Sequence, residues 1–348
     1  MTTSYRPAGP SRDPGPSDEP VRLRVREPGD LLATVPFLLG FHPAESLVAL
    51  FLSSGRVLLA ARFDLAPGLE EEVQGLVEQH AVEGLVLVAY AADADAGRGV
   101  LESHRAQLHG VELVDLLLVD GERWWSLACT TGCCPADGTR YAPDAHPISA
   151  EAVWAGLVAR PDRASVVATV AGPPPERHAA LDRRAEELAA ALAAAPGRWS
   201  LDDRRAALGL AVVDALVRLG EPASAPGPAP LDDDACLTLA LLAHEASVRD
   251  VACALVTRED ADRHLAVWLE VVARTPPGLA CGPVGVLGIA AWASGNGTLL
   301  NACCERLERL DPAYPMGRLL SDVSRRALAP AWWDAMADGL RGDLGLGR

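Results

Sequence analysis

Segments with strand-like patterns are concentrated before about residue 150 of this 348-residue chain, and this asymmetry limits its possible folds more than any other feature. Residues 84–90 (GLVLVAY) are an apolar run that predicts a buried strand. A Ser-Ser-Gly link between residues 46–52 and 56–63 predicts a hairpin. Further strands are predicted over residues 21–26, 111–119 and 122–128, and helices over 31–39 (with Asp30 as N-cap), 69–80 and 99–109. The β-α-β order predicts a mixed sheet covered by helices.

The second half of the chain has the pattern of helices alone. Residues 220–230 (GEPASAPGPAP) are predicted to be a loop between helices. The predicted fold class is therefore α/β, with a mixed sheet and covering helices, followed by an all-α helical-hairpin domain. The predicted parts are a disordered tail over residues 1–20, an α/β domain over 21–148 and a helical domain over 149–348.

One helical pair has a repeat-like rhythm. A helix closes at the Gly295-Asn296-Gly297 turn, and the next helix ends at Asp311-Pro312. This order resembles a tetratricopeptide unit, but it occurs clearly once. A helical-hairpin bundle without strict repeats is the simpler interpretation.

Charge argues against two classes of partner. The net charge is −16, and all 31 basic residues are arginine. Neither half of the chain is basic, so neither nucleic acid nor an anionic membrane is an expected partner. The first 20 residues lack the apolar segment of a signal peptide, and no stretch reaches 18 uninterrupted apolar residues. We expect a cytoplasmic protein whose eight cysteines are reduced thiols or metal ligands.

The first candidate site is the turn before the predicted hairpin. His42, Glu45 and Ser46 place an imidazole, a carboxylate and a hydroxyl within five residues. Because imidazole titrates near neutral pH, His42 could act as a general base or a ligand. In the alternative interpretation, these side chains cap the preceding helix and satisfy backbone groups of the turn.

The second candidate site is a cluster of three cysteines. Cys129, Cys133 and Cys134 lie within six residues just after a predicted strand. They could bind zinc, but a second CxxC pair is missing, so Asp137, His146 or His42 would have to complete the site. A redox or regulatory thiol and plain structural packing are the other interpretations, since Cys303-Cys304 are adjacent cysteines in a predicted helix.

The third candidate site is a set of strand-end carboxylates. Asp64, Asp93, Asp95 and Asp120 follow predicted strands, and ligands of open α/β sheets bind beyond the carboxyl ends of the strands. Two or three of these acids could hold Mg²⁺. Acids also favour turns, which gives a structural alternative.

Three segments carry a family resemblance. They are DLLATVPFLLGFHPAESLVALFL, LLLVDGERWWSLACTTGCCPADGTR, and the region 295–320 with the run DPAYPMGRLL. Together they resemble an uncharacterised actinobacterial family, the domain-of-unknown-function family 4192. The resemblance implies a lineage and a compartment, and it implies no activity.

Three functions stay open. The sequence has no GxGxxG after a strand, no P-loop, no GxSxG and no HExxH. The first hypothesis is therefore a non-catalytic protein-interaction or regulatory module that binds another protein through its helical domain. The second is a metal-assisted enzyme or small-ligand sensor that uses the His42/Glu45 turn or the strand-end aspartates. The third is a thiol-based metal or redox sensor at Cys129, Cys133 and Cys134.

Overall fold

A computed structural model describes residues 2–5, 21–130, 132, 134–194, 200–220 and 231–346. Backbone contacts divide the described residues into two compact units, one ending at Arg163 and the other beginning at Ala164. The first unit contains a mixed sheet with helices, and the described residues of the second are helical without strands. The predicted fold class is thereby confirmed.

The first unit contains eight strands and four α-helices among its described residues. The strands are β1 (Thr2–Tyr5), β2 (Val21–Arg24), β3 (Ser46–Ser53), β4 (Arg56–Asp64), β5 (Gly84–Tyr90), β6 (Glu112–Val119), β7 (Arg123–Ser126) and β8 (Thr139–Arg140). The helices are α1 (Pro28–Leu39), α2 (Glu70–Gln79), α3 (Ala94–Gln107) and α4 (Pro147–Trp154). Since α4 packs against α1, it belongs to this unit, whereas the sequence places a domain boundary at residues 148–149.

The main sheet has the strand order β4-β3-β5-β6-β7-β8. Strands β5 and β6 are parallel and are joined by α3, while the other neighbours are antiparallel. The hairpin predicted around Ser53-Ser54-Gly55 is confirmed as β3–β4. Its turn places Ser54 and Gly55 at φ of 51° and 71°, the left-handed pair that suits a tight hairpin. Strands β6 and β7 also pair antiparallel, across the Asp120-Gly121 turn.

The core of this unit lies between the sheet and the helices α2 and α3. Alternate residues of the three central strands, such as Phe51, Leu87 and Leu118, share one buried cluster with Val73 of α2 and Leu101 of α3. Every residue of β5 is buried, which explains its unbroken apolar sequence.

Two predicted helix starts are wrong. Helix α1 begins at Pro28 with Glu27 as its N-cap, and Asp30 is the third residue of a capping box instead of the cap. Helix α3 begins at Ala94 instead of residue 99, because the Asp93 side chain accepts hydrogen bonds from two amides of its first turn. Gly97 looks like a helix breaker in the sequence. A Cβ there would lie 2.7 Å from Leu118, so glycine lets the helix approach the sheet.

Within the stretch predicted as a disordered tail, Thr2–Tyr5 pair antiparallel with β2. These residues include β-formers in a stretch too short and polar to show a hydrophobic period. The rest of that prediction, residues 1 and 6–20, lies outside the described residues, as do residues 221–230 of the predicted loop.

The second unit is a bundle. Its helices are α5 (Arg163–Thr169, which starts at the boundary), α6 (Pro175–Ala194), α7 (Leu201–Gly220), α8 (Asp233–His244), α9 (Ala246–Leu255), α10 (Ala261–Arg274), α11 (Cys281–Ala293), α12 (Gly297–Leu310), α13 (Pro315–Arg325) and α14 (Ala331–Asp343). Helix α11 is apolar on all sides and is buried from Gly282 to Ala293. It contacts six other helices, which are α8, α9, α10, α12, α13 and α14. A central helix with this many neighbours is typical of a bundle rather than of a repeat stack.

The repeat-like pair is α11 and α12. The Asn296 side chain accepts a hydrogen bond from the amide of Leu299, which caps α12 after the Gly295 turn. The pair therefore forms a helical hairpin inside the bundle. None of the described helices is long and apolar enough to cross a membrane.

Candidate functional site

The predicted polar residues of the first unit share one edge of the sheet. Ser46, at the start of β3, lies opposite both Asp64 at the end of β4 and Tyr90 at the end of β5. Tyr90 lies in turn beside Val119, which directly precedes Asp120. The topology thus aligns the His42/Glu45 turn and the strand-end aspartates along this edge, as a row.

Glu45 and Ser46 bind the turn to its neighbours. Glu45 has a φ of 43°, and its carboxylate accepts a hydrogen bond from the amide of Ala92 at 2.7 Å. The buried Ser46 hydroxyl donates to the carbonyl of Ala44 at 2.7 Å and accepts from Arg62 Nε at 2.8 Å. Both side chains therefore satisfy groups of the loops, which is the structural alternative stated for them above.

The strand-end aspartates Asp64, Asp93 and Asp120 each bind a different neighbouring group. Asp64 pairs with Arg62 at 2.5 Å. Asp93 caps α3 by accepting hydrogen bonds from the amides of Asp95 and Ala96. Asp120 accepts hydrogen bonds from the amides of the next turn, at residues 122 and 123. Because neighbouring strands are about 4.8 Å apart, Asp64 and Asp120 are separated by three strand intervals, about 14 Å. The structure does not bring these carboxylates to one ion-binding point in its described part.

His42, in the same turn as Glu45, lies near the carboxylate of Asp144. Its amide donates to the carbonyl of Arg160, and its Nε2 atom lies 3.8 Å from Asp144 Oδ1. Asp144 is exposed, so this is a loose ion pair that forms only when the imidazole is protonated. His42 and Glu45 therefore have different partners, since the Glu45 carboxylate accepts a hydrogen bond from the amide of Ala92.

Two tyrosines at this edge escape sequence analysis. Tyr90 and Tyr141 make an edge-to-face contact with ring centroids 6.2 Å apart. Burial raises the pKa of Tyr141 to about 12, and burial with the neighbouring Tyr141 raises the pKa of Tyr90 well above its ordinary value. Both hydroxyls are neutral near pH 7. The only sequence signal is that Tyr90 ends an otherwise aliphatic strand.

Glu27, Asp30 and His146 form the one metal-ligand-like cluster among the described residues, with one ligand atom of each within 4.8 Å of the others. Asp30 Oδ1 lies 3.6 Å from His146 Nε2, and Asp30 Oδ2 accepts from the amide of Arg26 at 2.8 Å. The amide of Ile148 donates to His146 Nδ1, so a neutral ring carries its proton on Nε2, where a metal would need the lone pair. The cluster also lies at the positive ends of α1 and α4, which disfavours a cation. These residues are best explained as a link between two helix starts.

The described thiols of the cysteine cluster line a cleft of about 330 Å³ in the first unit. Cys129 and Cys134 lie in the loop after β7, and Arg98, Glu102 and Trp125 form the facing wall. Cys133 lies outside the described residues. His146, one of the residues considered as a further ligand, is engaged with Asp30 instead. The structure thus brings two of the three predicted thiols to one concave surface.

The cysteines of the helical unit have a different environment. Burial raises the pKa of Cys253 to about 12 and that of Cys303 well above its ordinary value. A buried thiol with a raised pKa is a poor nucleophile, because the thiolate is the reactive form.

We therefore expect iodoacetamide to modify Cys129 and Cys134 in the native protein much faster than Cys253 and Cys303. Peptide mass spectrometry after timed quenching measures the four rates. In urea all four cysteines should react at similar rates, which controls for the detection of each peptide. Native labelling of Cys303 as fast as that of Cys129 would contradict the packing of α11 against α12.

The helical unit exposes an apolar face on α7. Leu210, Val213 and Val217 are 73%, 49% and 53% exposed and follow the spacing i, i+3, i+7. On the opposite face of α7, Leu208 and Val212 are fully buried. The helix therefore carries apolar residues on both its core side and its exposed side.

The protein is a two-unit α/β and all-α protein, with a six-stranded mixed sheet in the first unit and a helical bundle in the second. Residues 28–331 match the family described as Domain of unknown function (DUF4192), and the chain belongs to this family. No curated protein and no solved structure matches the chain. The family match confirms the resemblance of the three segments and carries no activity with it.

Proposed function

We propose that this protein is a non-catalytic interaction module that binds another protein through the outer face of α7. The observation that carries the proposal is the exposed stripe of Leu210, Val213 and Val217. Scattered apolar residues are normal on a protein surface, but aligned ones on a single helix face are typical of a binding site. A helix or a groove of a partner protein would bury these three side chains, because residues spaced by three or four positions lie on one face of a helix.

The engagement of the candidate catalytic groups supports the same proposal. Glu45, Ser46, Asp93 and Asp120 all make hydrogen bonds to backbone groups, which accounts for their positions without a substrate. The acidic net charge supports a protein rather than a nucleic acid as the partner. We extend the proposal to a cytoplasmic setting, in which the cysteines would be reduced thiols, and to an actinobacterial origin.

A photo-crosslinking amino acid at Val213 tests the proposal in the native host. We expect one discrete crosslinked product with a second protein, which disappears when Leu210→Arg is added on the same face. The matched control carries the crosslinker at Ala190, an exposed position of α6. Circular dichroism of the Leu210→Arg variant verifies that the bundle remains folded.

Three results would refute the proposal. The first is the absence of any product at Val213, and the second is equal yields from Val213 and Ala190. The third is a product that contains this chain alone, because it would show self-association or an intramolecular contact instead of a separate partner.

A further inference from the structure

The cleft that holds Cys129 and Cys134 is lined by residues of the first unit, whereas the proposed binding face of α7 belongs to the second unit. Its walls come from three parts of the unit: Arg98 and Glu102 on α3, Trp125 on β7, and the loop that carries the thiols. A volume of about 330 Å³ is at the lower end of the range of small-molecule sites.

The thiol-bearing loop is fastened at both ends. At its start, Arg105 of α3 donates to the carbonyl of Leu127 at 2.6 Å. At its end, the Trp125 indole donates to the carbonyl of Ala136 at 3.3 Å. Gly138 lies against the same indole so closely that a Cβ would be 2.5 Å from the ring. These contacts hold the two ends of the loop against the sheet and α3, beside the cleft.

The cleft wall carries one arginine and one acid, which differ in their partners. Arg98 is exposed and has no ion-pair or hydrogen-bond partner in the part of the chain that the structure describes. Glu102, the acid on the same wall, pairs with Arg105 at 3.5 Å. The guanidinium of Arg98 is therefore available to a carboxylate of a bound molecule.

We propose that this cleft is a thiol-modification site for small anionic disulfides. A thiolate of Cys129 or Cys134 attacks one sulfur of a carboxylate-bearing disulfide, RSSR. The new bond is Cys–S–SR, the S–S bond of the reagent breaks, and RS⁻ leaves with the electron pair. Arg98 binds the carboxylate of the half that stays attached. The protein would thereby take up and release small thiols according to the surrounding thiol–disulfide balance.

Three small disulfides of similar size and different charge test the proposal: dithiodipropionate (anionic), hydroxyethyl disulfide (neutral) and cystamine (cationic). Intact mass and peptide mapping of the native protein give the rate and the position of each adduct. We expect modification first at Cys129 or Cys134, with dithiodipropionate faster than cystamine. Arg98→Glu should lower the ratio of anionic to cationic rates about ten-fold. The neutral disulfide should react at an unchanged rate, which separates a charge effect from a change in folding.

The matched control is Arg177→Glu, which reverses a charge in the helical unit and should leave the rate ratio unchanged. Equal rates for the three disulfides would overturn the proposal, since the cleft would then not recognise charge. First modification at Cys133, Cys281 or Cys304 would also overturn it. A ratio that Arg98→Glu does not change would remove Arg98 from the site and with it the proposed anion specificity.

Discussion

Replacing Gly282 by alanine is expected to destabilise the helical unit by about 3 kcal/mol. A Cβ at this position of α11 would lie 2.2 Å from the carbonyl oxygen of Ala243 and 2.8 Å from its carbonyl carbon, both at the end of α8. These are backbone atoms, so no side-chain rotation can relieve the clash and the two helices must separate. Alanine gains about 0.5–1 kcal/mol over glycine in helix propensity, which is too little to offset the clash.

Urea unfolding followed by far-ultraviolet circular dichroism measures this loss. Gly339→Ala is the matched control, because Gly339 also lies within a helix but has open space where its Cβ would be. It should stabilise the protein by about 0.5–1 kcal/mol. If Gly282→Ala behaved like Gly339→Ala, the close approach of α8 and α11 would be wrong.

These glycines show what the sequence could and could not predict about the bundle. The apolar run around 283–293 predicts a buried helix, and α11 is one. Gly285 and Gly288 follow Gly282 at intervals of three, and a Cβ at either would meet Met316 or Leu320 of α13. The spacing suggests one close-packed face, but contacts with helices separated by dozens of residues depend on tertiary packing that no local pattern encodes.

The first unit gives a similar lesson for the candidate site. The strand predictions place Asp64 and Asp120 after strands and Ser46 at the start of one, but their position along one edge follows from the strand order of the folded sheet. Strand periodicity could not show whether each polar group faces solvent or a backbone amide. Glu45 illustrates the difference, since its partner, the amide of Ala92, lies 47 residues away in the sequence.

Helix capping explains why the predicted start of α1 is wrong. Asp30 precedes an apolar periodic segment, and this pattern predicts it as the N-cap. Pro28 starts the helix earlier, since its fixed φ suits the first helical position and leaves Asp30 as the third residue of the capping box. The spacing of Cys129, Cys133 and Cys134 indicates a cysteine cluster, but the Arg98 side of the cleft depends on how α3 lies across the sheet.

Replacing Trp333 by alanine is expected to destabilise the helical unit by about 3–5 kcal/mol, whereas the same change at the adjacent Trp332 should alter stability by less than about 0.5 kcal/mol. Trp333 is 3% exposed, and its indole donates to the carbonyl of Val256 at 3.0 Å. It also packs edge-to-face on Trp292 of α11, with ring centroids 5.9 Å apart. Trp332 is 61% exposed.

The large expected effect has two physical parts. Truncation removes the indole from the interface of α14 with α11, which leaves a cavity beside Trp292. It also leaves the buried carbonyl of Val256 without its donor, which costs about 1–3 kcal/mol. Trp333→Phe separates the two parts, because it keeps most of the ring packing and removes only the donor, so its loss should be intermediate.

Thermal and urea unfolding of the three variants measure these differences. Because the two tryptophans are neighbours on one helix, the pair of alanine variants controls for helix propensity and for composition. Equal losses at Trp332 and Trp333 would mean that α14 is rotated about its axis relative to the described packing. A small loss at Trp333 alone would mean that α14 is not held against α11 through this residue.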